Sequence, residues 1–363
     1  MSIKLKRFCC VVFLIALLLP ANLLSQGGGA SVPFLRISPD ARASGMGETG
    51  VAVADNANAI YWNPGGFAFL DYFNKGNEFE DPVPFRQISL SFSPWLPQFN
   101  ADLYYSYAAA VQHFEGVGTL AANFVFMNLG EFRRTDFNGR ELGRFNSNEF
   151  ALQVAFGTKI TPSLGVGANM KYIRSNLTPS FGPHQPAAIG NSAALDLGVL
   201  WKPQNLWFLE DRLALGFNLQ NLGPKITYIT ESDPLPTNLK LGLAYTLFRD
   251  EFNDLKVTAD VQKLLVKRDS VGGSDPVPIS LWTGWNTPGI ETAFGLEYWY
   301  EKIVAFRGGY FTEPSALGNR QFWNLGLGLR YRIFQLDFGY ILTIEANHPL
   351  ANTMRFSILI DLK

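Results

Sequence analysis

The amino-acid sequence predicts an all-β protein, a transmembrane outer-membrane β-barrel of about fourteen antiparallel strands. Three observations support this fold class. Most of the chain after Gln87 alternates apolar with small or polar residues, which is the period of a strand with two different faces. Only 17% of the residues are charged while 47% are hydrophobic, a balance poorly suited to a surface that faces water alone. No apolar run after position 25 reaches the roughly eighteen residues of a membrane helix.

The N-terminus has the three parts of a secretory signal peptide. Basic residues precede an apolar core over 8–19, and Ser25 is a small residue suited to cleavage. The predicted signal peptide therefore spans 1–25, and we expect the mature protein to be exported. Both cysteines lie inside this signal, which excludes a disulfide or a cysteine metal site in the mature chain.

The segment 26–85 lacks barrel alternation and is rich in Gly, Ala, Asn and Asp, so we expect it to lie inside or beneath the barrel. Asp40 and Asp55 are candidate N-caps of short helices over 41–44 and 56–62. Helices of this length can lodge in the lumen, and the sequence predicts that they plug it.

Charged side chains in this segment have two expected fates. They either pair with charges on the lumen face of the barrel or are solvated at its periplasmic mouth. The segment charges are Arg36, Asp40, Arg42, Glu48 and Asp55, and the candidate lumen charges are Lys240, Arg330, Arg355 and Asp361.

The segment 86–363 carries the predicted barrel. On one predicted strand Leu213, Leu215 and Phe217 alternate with small or polar residues, and several other segments repeat this pattern. In lipid every backbone amide must be paired, so such strands must close into a barrel without edges. Strands are predicted near 86–94, 102–113, 117–129, 148–160, 164–176, 193–202, 211–221, 237–249, 253–265, 290–300, 303–312, 321–332, 334–343 and 352–362.

The connections between these strands alternate in length. Short turns are expected at the periplasmic side and long loops outside the cell. The segment 279–285 also alternates, but we assign it to a long loop because an extra strand would make the strand number odd. The predicted outer loops are 130–147, 177–192, 222–236, 266–289, 313–320 and 344–351.

The sequence argues against several classes of function. A formal net charge of −1 lacks the basic excess expected of a nucleic-acid binder. Three scattered histidines do not suggest a metal cluster, and no motif of a catalytic nucleophile, zinc protease or phosphate-binding loop occurs. We therefore expect neither an enzyme nor a cofactor. One enzymatic alternative stays open, in which a serine activated by His184 or His348 hydrolyses acyl chains of lipopolysaccharide.

The segment 32–47, VPFLRISPDARASGMG, and the Trp-Asn-Pro run at 62–64 closely resemble the opening of the PorV/PorQ family of the type IX secretion system. The resemblance continues in RGGYF at 307–311, LDFGY at 336–340 and HPLAN at 348–352, and the last favours the PorV branch. The plug motif that carries it is Ser38, Pro39, Asp40, Arg42, Gly45, Met46, Gly47, Trp62, Asn63 and Pro64.

This resemblance implies a FadL-like barrel of about fourteen strands with N-terminal elements in the lumen. It also implies a carrier that binds cargo proteins by their C-terminal domains at the translocon barrel and delivers them to a surface sortase. Outer-membrane lipid or lipopolysaccharide is the further expected partner. The candidate residues for contacts with cargo and partners lie in outer loops: Tyr228, Asp233, Gly318, Asn319, Arg320, His348, Pro349 and Asn352.

A transporter is the main alternative to a carrier. FadL-like barrels conduct hydrophobic small molecules, which would require the lumen to open. A tightly held plug would argue against this alternative.

Overall fold

The computed structural model describes residues 29–73, 83–99, 101–183, 185–204, 212–267, 273–287, 289–345 and 348–363. The predicted signal peptide at 1–25 lies outside these ranges. Within them, fourteen strands form one closed barrel in which neighbours pair in antiparallel order, and two more strands form a separate hairpin. The predicted fold class and strand number are confirmed.

The barrel strands before the hairpin are β1 (Arg86–Pro94), β2 (Tyr104–Phe114), β3 (Gly118–Thr135), β4 (Glu141–Thr161), β5 (Leu164–Thr178), β6 (Ala188–Trp201) and β7 (Leu213–Leu222). The hairpin consists of β8 (Ile226–Tyr228) and β9 (Glu231–Asp233). The barrel continues with β10 (Asn238–Arg249), β11 (Asn253–Leu264), β12 (Glu291–Tyr300), β13 (Val304–Thr312), β14 (Gln321–Tyr331), β15 (Phe334–Thr343) and β16 (Met354–Asp361).

The alternation in the sequence separates a lipid-facing surface from a lumen-facing surface. On β14, Trp323 and Leu325 are exposed on the outer surface, whereas the intervening Asn324 is buried inside. β1 pairs with β16, so the first and last strands meet at a closing seam. Closure leaves no unpaired strand edge in the membrane.

One predicted outer loop is wrong. The segment 130–147 was expected to be irregular, but β3 and β4 continue through it and leave only 136–140 as a connection. A bulge between Asn128 and Glu131 separates this extension from the barrel wall. In this extension charged residues such as Glu131, Arg133 and Arg144 occur among the apolar ones, so the alternation that identifies a lipid-facing strand is interrupted.

Two other outer connections contain structure that the sequence did not predict. The connection 223–237 contains the hairpin β8–β9, where a plain loop was expected. The connection between β11 and β12 contains the helix α3 (Ser280–Thr283) and the 3-10 helix Gly284–Asn286. The assignment of 279–285 to a loop rather than a strand is therefore correct.

The N-terminal segment forms short helices inside the barrel. They are the 3-10 helix Pro33–Arg36, α1 (Ala41–Gly45), α2 (Ala59–Trp62) and the 3-10 helix Pro64–Phe69. Further 3-10 turns lie in outer loops at Pro97–Phe99 and Ser315–Leu317. No helix in the described part of the chain is long and apolar enough to cross a membrane.

The structure confirms one predicted helix cap and contradicts the other. The carboxylate of Asp40 accepts a hydrogen bond from the Ala43 N–H at 2.8 Å and caps α1 as expected. Asp55 does not cap α2, whose N-cap is Asn58. The Asp55 carboxylate instead binds the guanidinium of Arg42. The Asp55 carboxylate, which the sequence pattern assigned to a helix N-terminus, therefore forms an ion pair with the buried Arg42 instead.

Candidate functional site

The segment 31–73, here called the plug, threads the lumen from the outer loops to the periplasmic end. At the outer end, Ser31 donates from its N–H to the Pro234 carbonyl and from its hydroxyl to Asp233, both at 3.0 Å. At the other end, Asp71 accepts from the Lys159 ammonium at 2.8 Å, beside the periplasmic turn of β4. The chain then leads into β1.

A chain of charges, buried except at Asp55, joins the plug to one wall of the barrel. Arg42 binds Asp55 within the plug and reaches Glu297 on β12 at 2.8 Å. Glu297 also accepts from Arg307 on β13, and Arg307 donates to Asp337 on β15, each at 2.8 Å. Every charge in the chain thus has an opposite neighbour, which is the condition for burying charges in a low-dielectric interior.

Two more ion pairs attach the plug to the same side of the barrel. Arg36 pairs with Glu291 on β12, and Glu48 pairs with Arg355 on β16. The sequence identified Glu48 and Arg355 as candidates to pair, but it did not identify Glu291 and Glu297. Both lie at inward positions of β12. The sequence could have identified them as partners of the plug, because acidic residues are unusual on the lumen side of an otherwise apolar strand.

The opposite wall, formed by β5, β6 and β7, holds the plug with neutral amides. The last carbonyls of a helix have no partner within the helix. In α2 these carbonyls accept hydrogen bonds from the side-chain amides of Asn169 at 3.2 Å, Gln220 at 2.5 Å and Asn218 at 2.7 Å. The barrel therefore caps the C-terminal end of a plug helix.

Two plug-motif residues bind each other across the segment. The Trp62 indole N–H donates to the carboxylate of Asp40 at 2.7 Å, and both side chains are buried. Burial raises the pKa of the Asp40 carboxyl, although the hydrogen bonds from Ala43 and Trp62 oppose this rise. Asp55 is partly exposed, and although partial desolvation raises the pKa of its carboxyl, Arg42 and Lys256 together hold that pKa below its ordinary value.

Asn63 connects the plug to β6. Its amide donates to the Val199 carbonyl at 2.9 Å and to the Val51 carbonyl at 3.0 Å, while its oxygen accepts from the Gly65 N–H. Pro64 then starts a 3-10 helix against the barrel wall. A Cβ at Gly167 of β5 would lie 2.3 Å from the Pro64 carbonyl oxygen, so this contact requires glycine.

Glycine also permits close contact between the plug and the wall formed by β12 to β15. A Cβ on Gly45 would lie 2.8 Å from the backbone of Gly326 on β14. Gly47 has φ of +70°, a conformation that favours glycine, and it lies against the backbone of β12 and β13. Met46 between them is fully buried, as are Ser38 and Pro39 earlier in the motif. The plug-motif residues therefore form the inner contact surface between plug and barrel.

The plug also binds both strands of the closing seam. The Ala41 N–H donates to the Ser357 hydroxyl on β16 at 2.7 Å, and the Ala57 N–H donates to the Gln87 side chain on β1 at 2.8 Å. Gln87 in turn donates to Asp361 on β16 at 2.7 Å. The segment is thus attached on each side of the junction.

The predicted partner-binding residues lie in three outer connections. Tyr228 is half-buried in β8, and Asp233 in β9 accepts from Ser31. Gly318 and Asn319 form a turn with positive φ angles. Arg320 pairs with the buried Glu313 at 2.6 Å.

The remaining predicted residues hold the connection between β15 and β16. The His348 ring nitrogen Nδ1 accepts from the Leu350 N–H at 3.1 Å, next to Pro349. The Asn352 amide oxygen accepts from the Tyr340 hydroxyl at 2.6 Å. These side chains shape the loops, and the structure does not gather all eight residues into one cluster.

The sequence reasoning missed a group of large apolar side chains at exposed positions of the outer connections. Trp282 has 81% of its surface exposed, although it lies in a loop helix beyond the lipid-facing strands. The sequence could have indicated this group, because its apolar residues lie in connections between the predicted strands, where water-facing residues are expected. The group comprises Phe99, Phe137, Ile229, Ile279, Trp282, Trp285 and Ile344.

Between the plug and the outer loops lies a cavity of about 430 Å³, here called the outer chamber. Its lining includes Tyr61 and Trp62 of the plug, and Trp95, Leu96 and Leu350 of outer connections. This volume is within the range of about 300–1,000 Å³ that is typical of small-ligand pockets. Among the described residues, no group of three His, Cys, Asp or Glu side chains is placed to hold a metal ion.

Solved structures share this fold at low sequence identity. A TodX deltaS2S3 mutant, a monoaromatic hydrocarbon channel, has a TM-score of 0.52 and 12% identity over 88% of this chain and 96% of its own. The CymD monoaromatic hydrocarbon channel has a TM-score of 0.51 and 12% identity over 92% and 97%. A FadL homologue of Pseudomonas aeruginosa has a TM-score of 0.50 and 11% identity over 93% and 100%. These similarities confirm the FadL-like fold alone.

The sequence itself indicates the family. No curated protein matches the chain. The family described as type IX secretion system protein PorV matches residues 26–270, which include the plug and the barrel as far as β11. With its closed outer-membrane barrel, the chain belongs to the PorV family of type IX secretion system proteins.

Proposed function

We propose that this protein binds the C-terminal signal domains of secreted proteins at the translocon and carries them to a surface sortase complex. The observation that carries the proposal is that large apolar side chains stand exposed on the water-facing loops of a barrel whose lumen holds a plug. Export by a signal peptide cleaved after Ser25 would deliver the protein to the outer membrane.

The exposed group favours a protein partner. Exposed apolar side chains that lie close together often mark a site of protein interaction, and aromatic residues are enriched where protein interfaces gain most of their energy. Trp282 and Trp285 are three residues apart in the connection between β11 and β12, and both are exposed. They provide two aromatic anchors for a docking protein.

The extension of β3 and β4 offers a second contact. Pairing of β2 with β3 ends at Asn128, and pairing of β4 with β5 ends at Asn148, so beyond these residues the two strands pair only with each other. Phe137 in the connecting turn is fully exposed. A ribbon that projects from the barrel mouth with an aromatic tip is suited to contact a bulky folded domain.

The plug argues against a channel for hydrophobic small molecules. Passage through the lumen would require the plug to separate from walls that hold it with ion pairs, amide hydrogen bonds and glycine contacts. The lipopolysaccharide deacylase alternative has less support. His184 lies outside the described residues, and Nδ1 of His348 is already bound by the Leu350 N–H.

The test is capture of a cargo C-terminal signal domain by the purified full chain. We expect the double variant Trp282→Ala, Trp285→Ala to fold normally and to bind this domain at least about tenfold more weakly, because truncation of an aromatic hot spot commonly costs about 2 kcal/mol. Tyr331→Ala is the matched control, because Tyr331 is an equally exposed aromatic residue at the periplasmic end of β14.

Isolation of the protein from outer membranes tests the rest of the proposal. The wild-type protein should bring a translocon barrel and a surface sortase with it. Unchanged binding of the cargo domain by the tryptophan variant would rule out the loop surface as the docking site. No binding by the wild-type chain would overturn the carrier function itself.

A further inference from the structure

The outer chamber contains a buried cation without a bound anion. Lys240, on the lumen face of β10, has only 2% of its surface exposed and lines the chamber. Its ammonium lies 4.7 Å from the ring centre of Tyr61 and 5.0 Å from that of Trp62. Within the described residues it has neither a hydrogen-bond acceptor nor an ion-pair partner.

The carboxylates that act on Lys240 from a distance are bound elsewhere. Oδ2 of Asp260 accepts from the backbone N–H groups of Gly50 and Val51 at 2.8 and 3.1 Å, and Oδ1 has no hydrogen-bond partner among the described residues. Glu291 forms its ion pair with Arg36. A buried ammonium without a close partner is costly, and an anionic ligand would remove that cost.

Other groups that line the chamber are also hydrogen-bond donors without a partner. Nε of Arg36, Nε of Arg355 and the hydroxyl of Ser38 are buried and have no acceptor among the described residues. All three residues line the chamber with Lys240. The polar side chains that surround Lys240 in the chamber wall favour a carboxylate ligand over an apolar one.

The rest of the lining restricts the ligand. Leu103, Met127 and Phe322 provide apolar surface, while the paired charges of Arg36 and Arg355 remain in the wall. A hydrocarbon chain would leave these polar groups without water or a hydrogen-bonding partner, whereas the amides of a peptide could bind them. A cavity of about 430 Å³ admits a few residues but not a folded domain.

We infer that the outer chamber receives the C-terminal end of the cargo signal domain, with its terminal carboxylate bound by Lys240. This inference rests on the proposed carrier function. A chain end that enters carboxylate first brings one negative charge to Lys240, the only cation among the described residues of the chamber lining that has no bound anion, and the last side chains pack against the apolar wall. Tyr61 and Trp62 of the plug stop further entry.

The experiment compares two forms of one cargo C-terminal signal domain that differ only at the last residue, which carries either a free carboxylate or an amide. Each form is titrated against the full chain in detergent. The wild-type protein should bind the carboxylate form about tenfold or more tightly, because a hydrogen-bonded charge pair is lost in the amide form. Lys240→Met should bind both forms equally, and Lys240→Arg should restore part of the preference.

Lys302→Met is the matched control, because Lys302 is an exposed lysine in the periplasmic turn between β12 and β13 and does not line the chamber. It should keep the wild-type preference. Equal binding of both forms by the wild-type chain would overturn the inference while leaving the carrier function standing. No binding of either form would overturn both. Laurate that displaces the carboxylate form from the wild-type chain, and fails to bind Lys240→Met, would assign the chamber to a fatty acid and overturn the peptide assignment.

Discussion

The two walls of the barrel hold the plug by different chemistry. The wall of β12 to β15 uses buried charges, with Arg42 and Arg307 on either side of Glu297. The wall of β5 to β7 uses neutral amides such as Asn218, which bind helix carbonyls. A charge that loses its partner inside a protein is far more unfavourable than an amide that loses one. The charged wall should therefore dominate the stability of the assembly, and the amide wall should adjust the position of α2.

The largest expected effect comes from Arg307. Arg307→Met leaves Asp337 without its buried cation, and breaking a buried pair in this way typically costs about 3–5 kcal/mol. Urea unfolding of the barrel in lipid vesicles measures this loss. The control is Arg144→Met, which removes an exposed arginine paired with Glu131 and Glu141 and should leave the unfolding midpoint unchanged. Equal effects of the two variants would show that the buried charge chain contributes no more to the free energy of unfolding than an exposed ion pair.

A smaller effect is expected from the glycine contact. Gly326→Ala forces a methyl group against the backbone of Gly45, and such overpacking should reduce the free energy of unfolding by about 2–3 kcal/mol. Gly308→Ala on the adjacent strand is the matched control, because a Cβ there meets no atom within 4 Å. If Gly326→Ala unfolds at the same urea concentration as Gly308→Ala, the plug does not press against this wall.

The amide wall should give the smallest of the three effects. Asn218→Ala leaves the Trp62 carbonyl without its donor, for an expected loss of about 1–2 kcal/mol in the same unfolding experiment. Asn191→Ala, which removes an exposed amide from β6, serves as the reference. A loss as large as that of Arg307→Met would mean that the two walls contribute equally.

The sequence was sufficient for the barrel because lipid imposes one simple rule on each strand. Outward residues such as Leu325 must be apolar wherever the strand contacts lipid, so alternation marks the strand and even its approximate ends. Above the membrane the rule no longer applies. The extension of β3 and β4 around Phe137 therefore had the composition of a loop, although its backbone is paired.

The plug could be located from the sequence but its contacts could not. The lack of alternation in 26–85 placed it inside the barrel, and the Asp40 cap followed from local pattern. Which wall faces which residue depends on tertiary packing, so Asp55 was assigned to a helix end before its partner Arg42 was known. Lys240 was identified as a lumen charge, but only the structure reveals that no acid is bound to it.

The contacts of the plug with β1 and β16 bear on how the molecule is assembled. Ser357 and Gln87 stand on opposite sides of the junction, and each accepts a backbone N–H from the same internal segment. That segment comes before the barrel in the chain and runs along its whole interior. We therefore expect the segment to be in place before the last strand pairs with the first, with its hydrogen bonds to Ser357 and Gln87 helping to bring the two ends of the sheet together.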